Sequence, residues 1–191
     1  MRVQKNTMAK GFLSVTLVTL CLLSFNCAEE PPKLASGKIV YEFLDHAGGA
    51  QITAMNRDAV KFGDSFTINN QKRPVLFEHP NAEVLFPDVM IPKNSVLQVG
   101  IAIHPAVWEK SGDGVTFEIT AVDEKSNRVL IFSRYIDPKN IAEDRKWMDT
   151  DVALDDFAGQ KVSFVFTTGY GPRGNGDYDA AGWAMPRIRL R

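Results

Sequence analysis

Apolar and polar residues alternate in short runs along most of this chain, with a period near two rather than 3.6. In Val115-Thr116-Phe117-Glu118-Ile119-Thr120 the first, third and fifth side chains are apolar. An extended segment of that pattern turns one face to a core and the other to water. Runs rich in β-branched and aromatic residues, punctuated by Gly, Pro, Asn and Asp, predict strands over 38–44, 65–69, 75–79, 82–86, 96–104, 115–122, 129–136, 161–167 and 187–190. The charged segment 123–128, with Ser126-Asn127, predicts a tight connection that makes 115–122 and 129–136 a hairpin. Segments 51–56 and 141–147 each read as a helical turn or two, too short to assign. No segment sustains an apolar stripe at the helical period, and no period of roughly 20–50 residues repeats. The fold class is therefore all-β, and sheets covered on one face imply two of them, an antiparallel jelly-roll β-sandwich.

The first residues follow a different pattern. Arg2, Lys5 and Lys10 precede an apolar run at 11–25 that breaks at Asn26 and meets Cys27. The run is shorter than the roughly 20 residues of a membrane-spanning helix and has the basic flank of a secretory signal. With cysteine just past the apolar part, it resembles a bacterial lipoprotein leader, in which the thiol is lipidated and cleavage leaves cysteine first. Asn26 and Ser24 depart from the residues such leaders usually place there. The expected organisation is a cleaved signal peptide at 1–26, lipidated Cys27 with a polar, proline-bearing linker to 37, and a β-sandwich domain at 38–191. The expected location is the cell envelope, at the outer membrane or cell surface rather than the inner membrane.

Beyond the leader 165 residues remain, enough for one domain with a sizeable core. Cys21 and Cys27 are the two cysteines, so the exported part has no internal disulfide and no thiolate metal site. A formal net charge of -1 argues against nucleic acid as a partner. His46, His79 and His104 lie in separate segments without metal-binding spacing; the last two precede prolines, which suits strand-end hydrogen bonding. No nucleophile elbow is present. Asp149, Asp151, Asp155 and Asp156 offer paired carboxylates of the kind a glycosidase needs, but the same residues serve as turn and cap residues.

The richest candidate segment is 169–183, GYGPRGNGDYDAAGW. Its glycines and proline predict a long irregular loop, either a binding loop or a mobile crossing. Asn175, Asp177 and Asp179 place oxygens at alternate positions, a spacing that wraps a hard cation or closes a plain hydrogen-bonded turn. Trp108, Trp147 and Trp183 read as lying near loops or strand ends. Together with Tyr170, Arg173 and Tyr178 they are candidate ligand-binding residues, because sugars stack their C–H faces on aromatic rings while polar neighbours bond the hydroxyls. The alternative is that each indole caps the core. Arg187, Arg189 and Arg191 alternate with Ile188 and Leu190, which suits an anionic ligand or a charged strand that resists edge pairing.

The segments RPVLFEHP at 73–80, IPKNSVLQVGIAIHP at 91–105, WEKSGDGVTFEI at 108–119, VALDDFAGQKV at 152–162 and DAAGWAMPRI at 179–188 occur in an order that resembles exported bacterial β-sandwiches related to galactose-binding and carbohydrate-binding modules. The resemblance covers about residues 60–190. It implies a non-catalytic binding domain that takes a glycan, needs no cofactor, and often contains a structural calcium ion. The competing reading is an envelope structural or adhesion protein that contacts a protein partner through a sheet face. Both leave the chain attached to a membrane through its lipid.

Overall fold

A computed structural model describes residues 34–191; the signal peptide, Cys27 and most of the linker lie outside the described residues. Eleven strands form the body: β1 (Ile39–Glu42), β2 (Gln51–Ala54), β3 (Val60–Ile68), β4 (Gln71–Glu78), β5 (Ala82–Met90), β6 (Ser95–Ile103), β7 (Val115–Asp123), β8 (Arg128–Ile136), β9 (Met148–Ala153), β10 (Lys161–Tyr170) and β11 (Ala181–Leu190). One sheet has the order β3-β4-β11-β6-β9 with β1 also on β11, and the other β2-β5-β10-β7-β8. Every pairing is antiparallel. Within them β4-β11-β6-β9 faces β5-β10-β7-β8, so from β4 onward the chain changes sheet at every connection except the β7–β8 hairpin. That is the jelly-roll connection, and the all-β reading holds.

The core between the sheets is aromatic. Phe43 plugs it from the 3-10 segment Phe43–Gly49 and meets Phe86, Phe164 and Phe166 edge-to-face at 5.0, 5.4 and 5.1 Å. Trp183 does the same with Phe117 at 4.9 Å and Phe166 at 5.1 Å. Strand β6 is buried along its whole length, which is why its sequence SVLQVGIAI is nearly unbroken in apolar residues. The predicted β7–β8 hairpin is present. Asp123 closes it, its Oδ1 accepting the N–H groups of Lys125 and Asn127 at 2.9 and 2.8 Å.

Four expectations change. Segment 51–54 is strand β2 at a sheet edge rather than a helical turn, while 142–144 is a short 3-10 turn. Asp149 and Asp151 lie in strand β9, not in a turn. The glycine-rich loop is confined to 171–180, because β11 begins at Ala181 and contains Trp183. Finally, β11 is central in its sheet, flanked by β4 and β1 on one side and β6 on the other, so its arginines guard no edge. Pro186 is tolerated there because the register shifts between Ala184 and Arg187, with Met185 at φ 44°, in the gap between the β4 and β1 pairings.

Candidate functional site

Antiparallel crossings gather the loops before β3, between β4 and β5, between β6 and β7, after β8, and between β10 and β11 at one end of the sandwich. A pocket of about 250 Å³ opens there. It is lined by Met55, Asn56, Ala59, His79, Pro80, Asn81, Tyr170, Gly176 and Asp177. Tyr170 is the last residue of β10 and supplies a half-buried aromatic wall; Asn56, His79, Asn81 and Asp177 supply the polar groups. His79 directly follows β4, its Nδ1–H donating to the Pro80 carbonyl at 2.8 Å, and His104 accepts the Ala106 N–H at 3.2 Å. Both are the strand-end bonds that the following prolines predict.

Of the predicted ligand-binding residues, Tyr170 reaches this pocket, and Asp177 of the predicted metal set joins it. Arg173 is tied down beside it, its N–H on Asp113 Oδ2 at 2.5 Å and its guanidinium on the Gly112 carbonyl at 2.9 Å. Tyr178 is exposed. Trp183 is not a ligand residue: it has no exposed surface, because its strand alternation points it between the sheets. Trp108 lies against the same core with Nε1–H on the Ile103 carbonyl at 2.9 Å and the Arg145 guanidinium 5.7 Å above its ring. Trp147 packs on the outer face of the first sheet in a small cluster with Phe66, Val75, Phe77 and Ala184. The sequence missed Asn56, His79, Pro80 and Asn81; the readable signal was a proline and an asparagine between two strong strands.

Asn175, Asp177 and Asp179 do not form one cage. Asn175 Oδ1 accepts the Asp177 N–H at 2.8 Å, a local turn bond, while Asp179 Oδ1 accepts from Lys139 Nζ at 2.7 Å. Among the described residues no group of three or more His, Cys, Asp or Glu side chains is placed to hold a metal. Burial raises the Asp179 carboxyl above the usual aspartate range, with the Lys139 hydrogen bond and charge opposing it.

Behind the pocket, Glu78 ends β4 with its side chain fully buried. Trp183 Nε1–H donates to its Oε2 at 2.6 Å, and Oε1 meets no protein donor. Burial pushes its pKa well above the ordinary value, against the pull of the Trp183 bond, and the nearby Glu83 charge adds to the rise.

A second hollow of about 170 Å³ lies on the outer face of the first sheet, over the small residues Gly100 and Ala184. Arg73 forks onto Asp149 at 2.5 and 3.1 Å above them. Arg187 gives two N–H groups to Gln98 Oε1 at 3.0 and 2.7 Å, its pKa lowered by burial and then by Arg189. The incoming chain crosses this face: Ala35 N–H donates to Asp151, its carbonyl accepts from Gln98 at 3.1 Å, and the Gly37 carbonyl accepts from Arg189 at 2.9 Å. Asp155 pairs with Arg191 at 2.9 Å. The four acidic residues considered for hydrolysis are thus spread between a sheet face and a turn, and none lines the loop-end pocket.

No family model matches the chain. A relative from Archaeoglobus fulgidus, described only as an uncharacterized protein, is 43% identical over 127 residues, 63% of this chain and 32% of that one. The chain therefore spans about a third of the length of the curated relative it matches. Among solved structures, the second CBM51 and INT domains of Clostridium perfringens ZmpB superpose with a TM-score of 0.54 at 14% identity, over 73% of this chain and 29% of that one. The CBM51 domain of Clostridium perfringens GH95 in complex with methyl-galactose gives 0.51 at 11% identity, over 79% and 99%. A cleaved adhesin domain of Lys-gingipain from Porphyromonas gingivalis gives 0.52 at 13% identity, over 80% and 98%. The fold is thus the β-sandwich of carbohydrate-binding modules and related adhesin domains.

Proposed function

We propose that this chain is a non-catalytic envelope lipoprotein whose sandwich binds a glycan at the loop end. One observation carries the reading: a small pocket with one aromatic wall and four polar side chains from three loops, set on a sandwich frame. Its volume suits one sugar ring rather than a drug-sized ligand. Tyr170 offers the ring face, and Asn56, Asn81, His79 and Asp177 offer the donors and acceptors that hydroxyl groups need. The ligands of the similar domains, methyl-galactose in one and GlcNAc in another, give the first probes.

Titration of the full chain in mild detergent against a panel of galactose- and GlcNAc-ended glycans tests this. The expected result is saturable binding that weakens about tenfold or more in Tyr170→Ala, with Trp108→Ala affecting stability instead. If no glycan binds and a protein cross-links to the exposed Val129, Leu130 and Tyr135 of edge strand β8, the adhesion reading takes its place.

The membrane attachment is a separate proposal. Metabolic labelling with palmitate is expected to mark the wild-type chain and leave Cys27→Ser unlabelled and uncleaved. Equal labelling of both chains rejects lipidation at Cys27.

A further inference from the structure

The loop whose oxygens suggest a hard cation encloses an ammonium group. Lys139 Nζ donates to the Ser111 carbonyl at 2.8 Å, the Asp177 carbonyl at 2.9 Å and Asp179 Oδ1 at 2.7 Å. Three N–H donors meet three oxygens, the full capacity of a lysine head. The ion pair is enclosed, with side-chain exposures of 3% for Lys139 and 0% for Asp179. The backbone is shaped around it: Gly112 holds φ at +135°, and a methyl group there would overlap Nζ and crowd the Asp177 carbonyl. Asp113 is buried alongside, where Tyr135 O–H donates to its carbonyl at 2.5 Å and to Asp137 Oδ2 at 3.2 Å.

Calcium asks for six to eight oxygens at about 2.3–2.6 Å. Here the centre of the oxygen cluster is the lysine head, Asn175 is spent on a turn, the Asp177 side chain is exposed, and the buried acidic oxygens without a partner there are Asp179 Oδ2 and Asp113 Oδ1. The residues present do not fit the ion. They fit a covalently attached cation. Lys139 joins three loops, the ones that hold Ser111–Gly112, Asp137–Asn140 and Asp177–Asp179, and the last of these carries Gly176 and Asp177 into the pocket.

We infer that Lys139 does the work of a structural metal ion: it is a positioning residue that fixes the 171–180 loop, so that the loop-end pocket forms without divalent cations. The pocket's occupant rests on the glycan reading, whereas the loop's dependence on Lys139 does not. The test uses amide hydrogen exchange of the full chain, with calcium or EDTA as the probe. In the wild type neither changes exchange in 171–180. In Lys139→Met/Asp179→Asn, which removes both charges and keeps the shape, exchange in 171–180 rises about tenfold or more while the β6–β11 ladder stays protected. Lys139→Cys, alkylated unfolded with bromoethylamine to rebuild an ammonium head and then refolded, recovers slow exchange; the same cysteine capped with iodoacetamide does not. Faster loop exchange on adding EDTA to the wild type, an unchanged loop in the double variant, or equal recovery with both alkylating agents overturns the inference. If methyl-galactose and GlcNAc bind none of these proteins while the exchange pattern appears, the glycan reading falls and the cation inference stands.

Discussion

Trp183→Ala is expected to lower unfolding free energy by about 3–5 kcal/mol, the cost of deleting a large aromatic side chain from a packed core. Trp183 has no exposed surface and sits edge-on to Phe117 and Phe166. Its removal leaves a cavity between the sheets and takes from Glu78 the N–H at 2.6 Å. Trp183→Phe separates these effects, since it keeps most of the volume and loses only the donor; about 1–3 kcal/mol is expected for leaving a buried polar group unmatched. Urea unfolding followed by far-UV circular dichroism measures both. A Trp183→Ala chain within about 0.5 kcal/mol of wild type, the scatter of ordinary surface changes, while glycan binding disappears, returns Trp183 to the ligand site.

The second large effect concerns pH. Glu78 has an ordinary pKa of 4.5 when unfolded and a well-raised one when folded. Below the unfolded value both states hold the proton and the group contributes no pH dependence. As pH rises above about 4.5 the unfolded chain gives up the proton and the folded chain keeps it, so stability falls until pH passes the folded value. Glu78→Gln removes this loss and keeps an oxygen for Trp183. The variant is expected to be more stable than wild type at neutral pH and to match it more closely near pH 4. Unfolding curves across that range decide it. A gap between Glu78→Gln and wild type that does not widen as pH rises through this window contradicts a protonated Glu78.

Where alternation is uninterrupted, the strands were legible. Strands β7 and β8 and their Asp123 turn follow directly from the spacing of Val115, Phe117 and Ile119 and from the polar residues after them. Strand β9 was hidden because Asp149 and Asp151 resemble turn residues; across the sheet they find Arg73 and Gln98, partners that no local pattern contains. The end of strand β11 was read at 187–190, but its first half was hidden by Gly182 and Pro186, both acceptable only because of what lies beside them: Phe66 fills the space over Gly182, and Pro186 falls at a register shift. The pocket was half legible. Tyr170 and Asp177 lie at the start of and within a loop whose glycines announce it, but Asn56, His79 and Asn81 join the pocket only through the crossing order of the strands. Lys139 was invisible for the same reason, since a lone lysine in a loop is ordinarily solvated.

The segment at 34–37 reaches the domain at the end of β11 remote from the pocket, about 30 Å away by strand rise. β1 then runs back along β11, with Ile39 opposite Arg189 and Glu42 opposite Arg187. Under the proposed function, a ligand drawn one way and a tether drawn the other would load that ladder lengthwise. Its hydrogen bonds, crosswise to the pull, share the force together instead of parting one by one, and the Arg189 and Gln98 bonds to residues 35–37 lie first in line. An anchor upstream of residue 34, if the lipidation proposal holds, would pull on the β1–β11 ladder in shear.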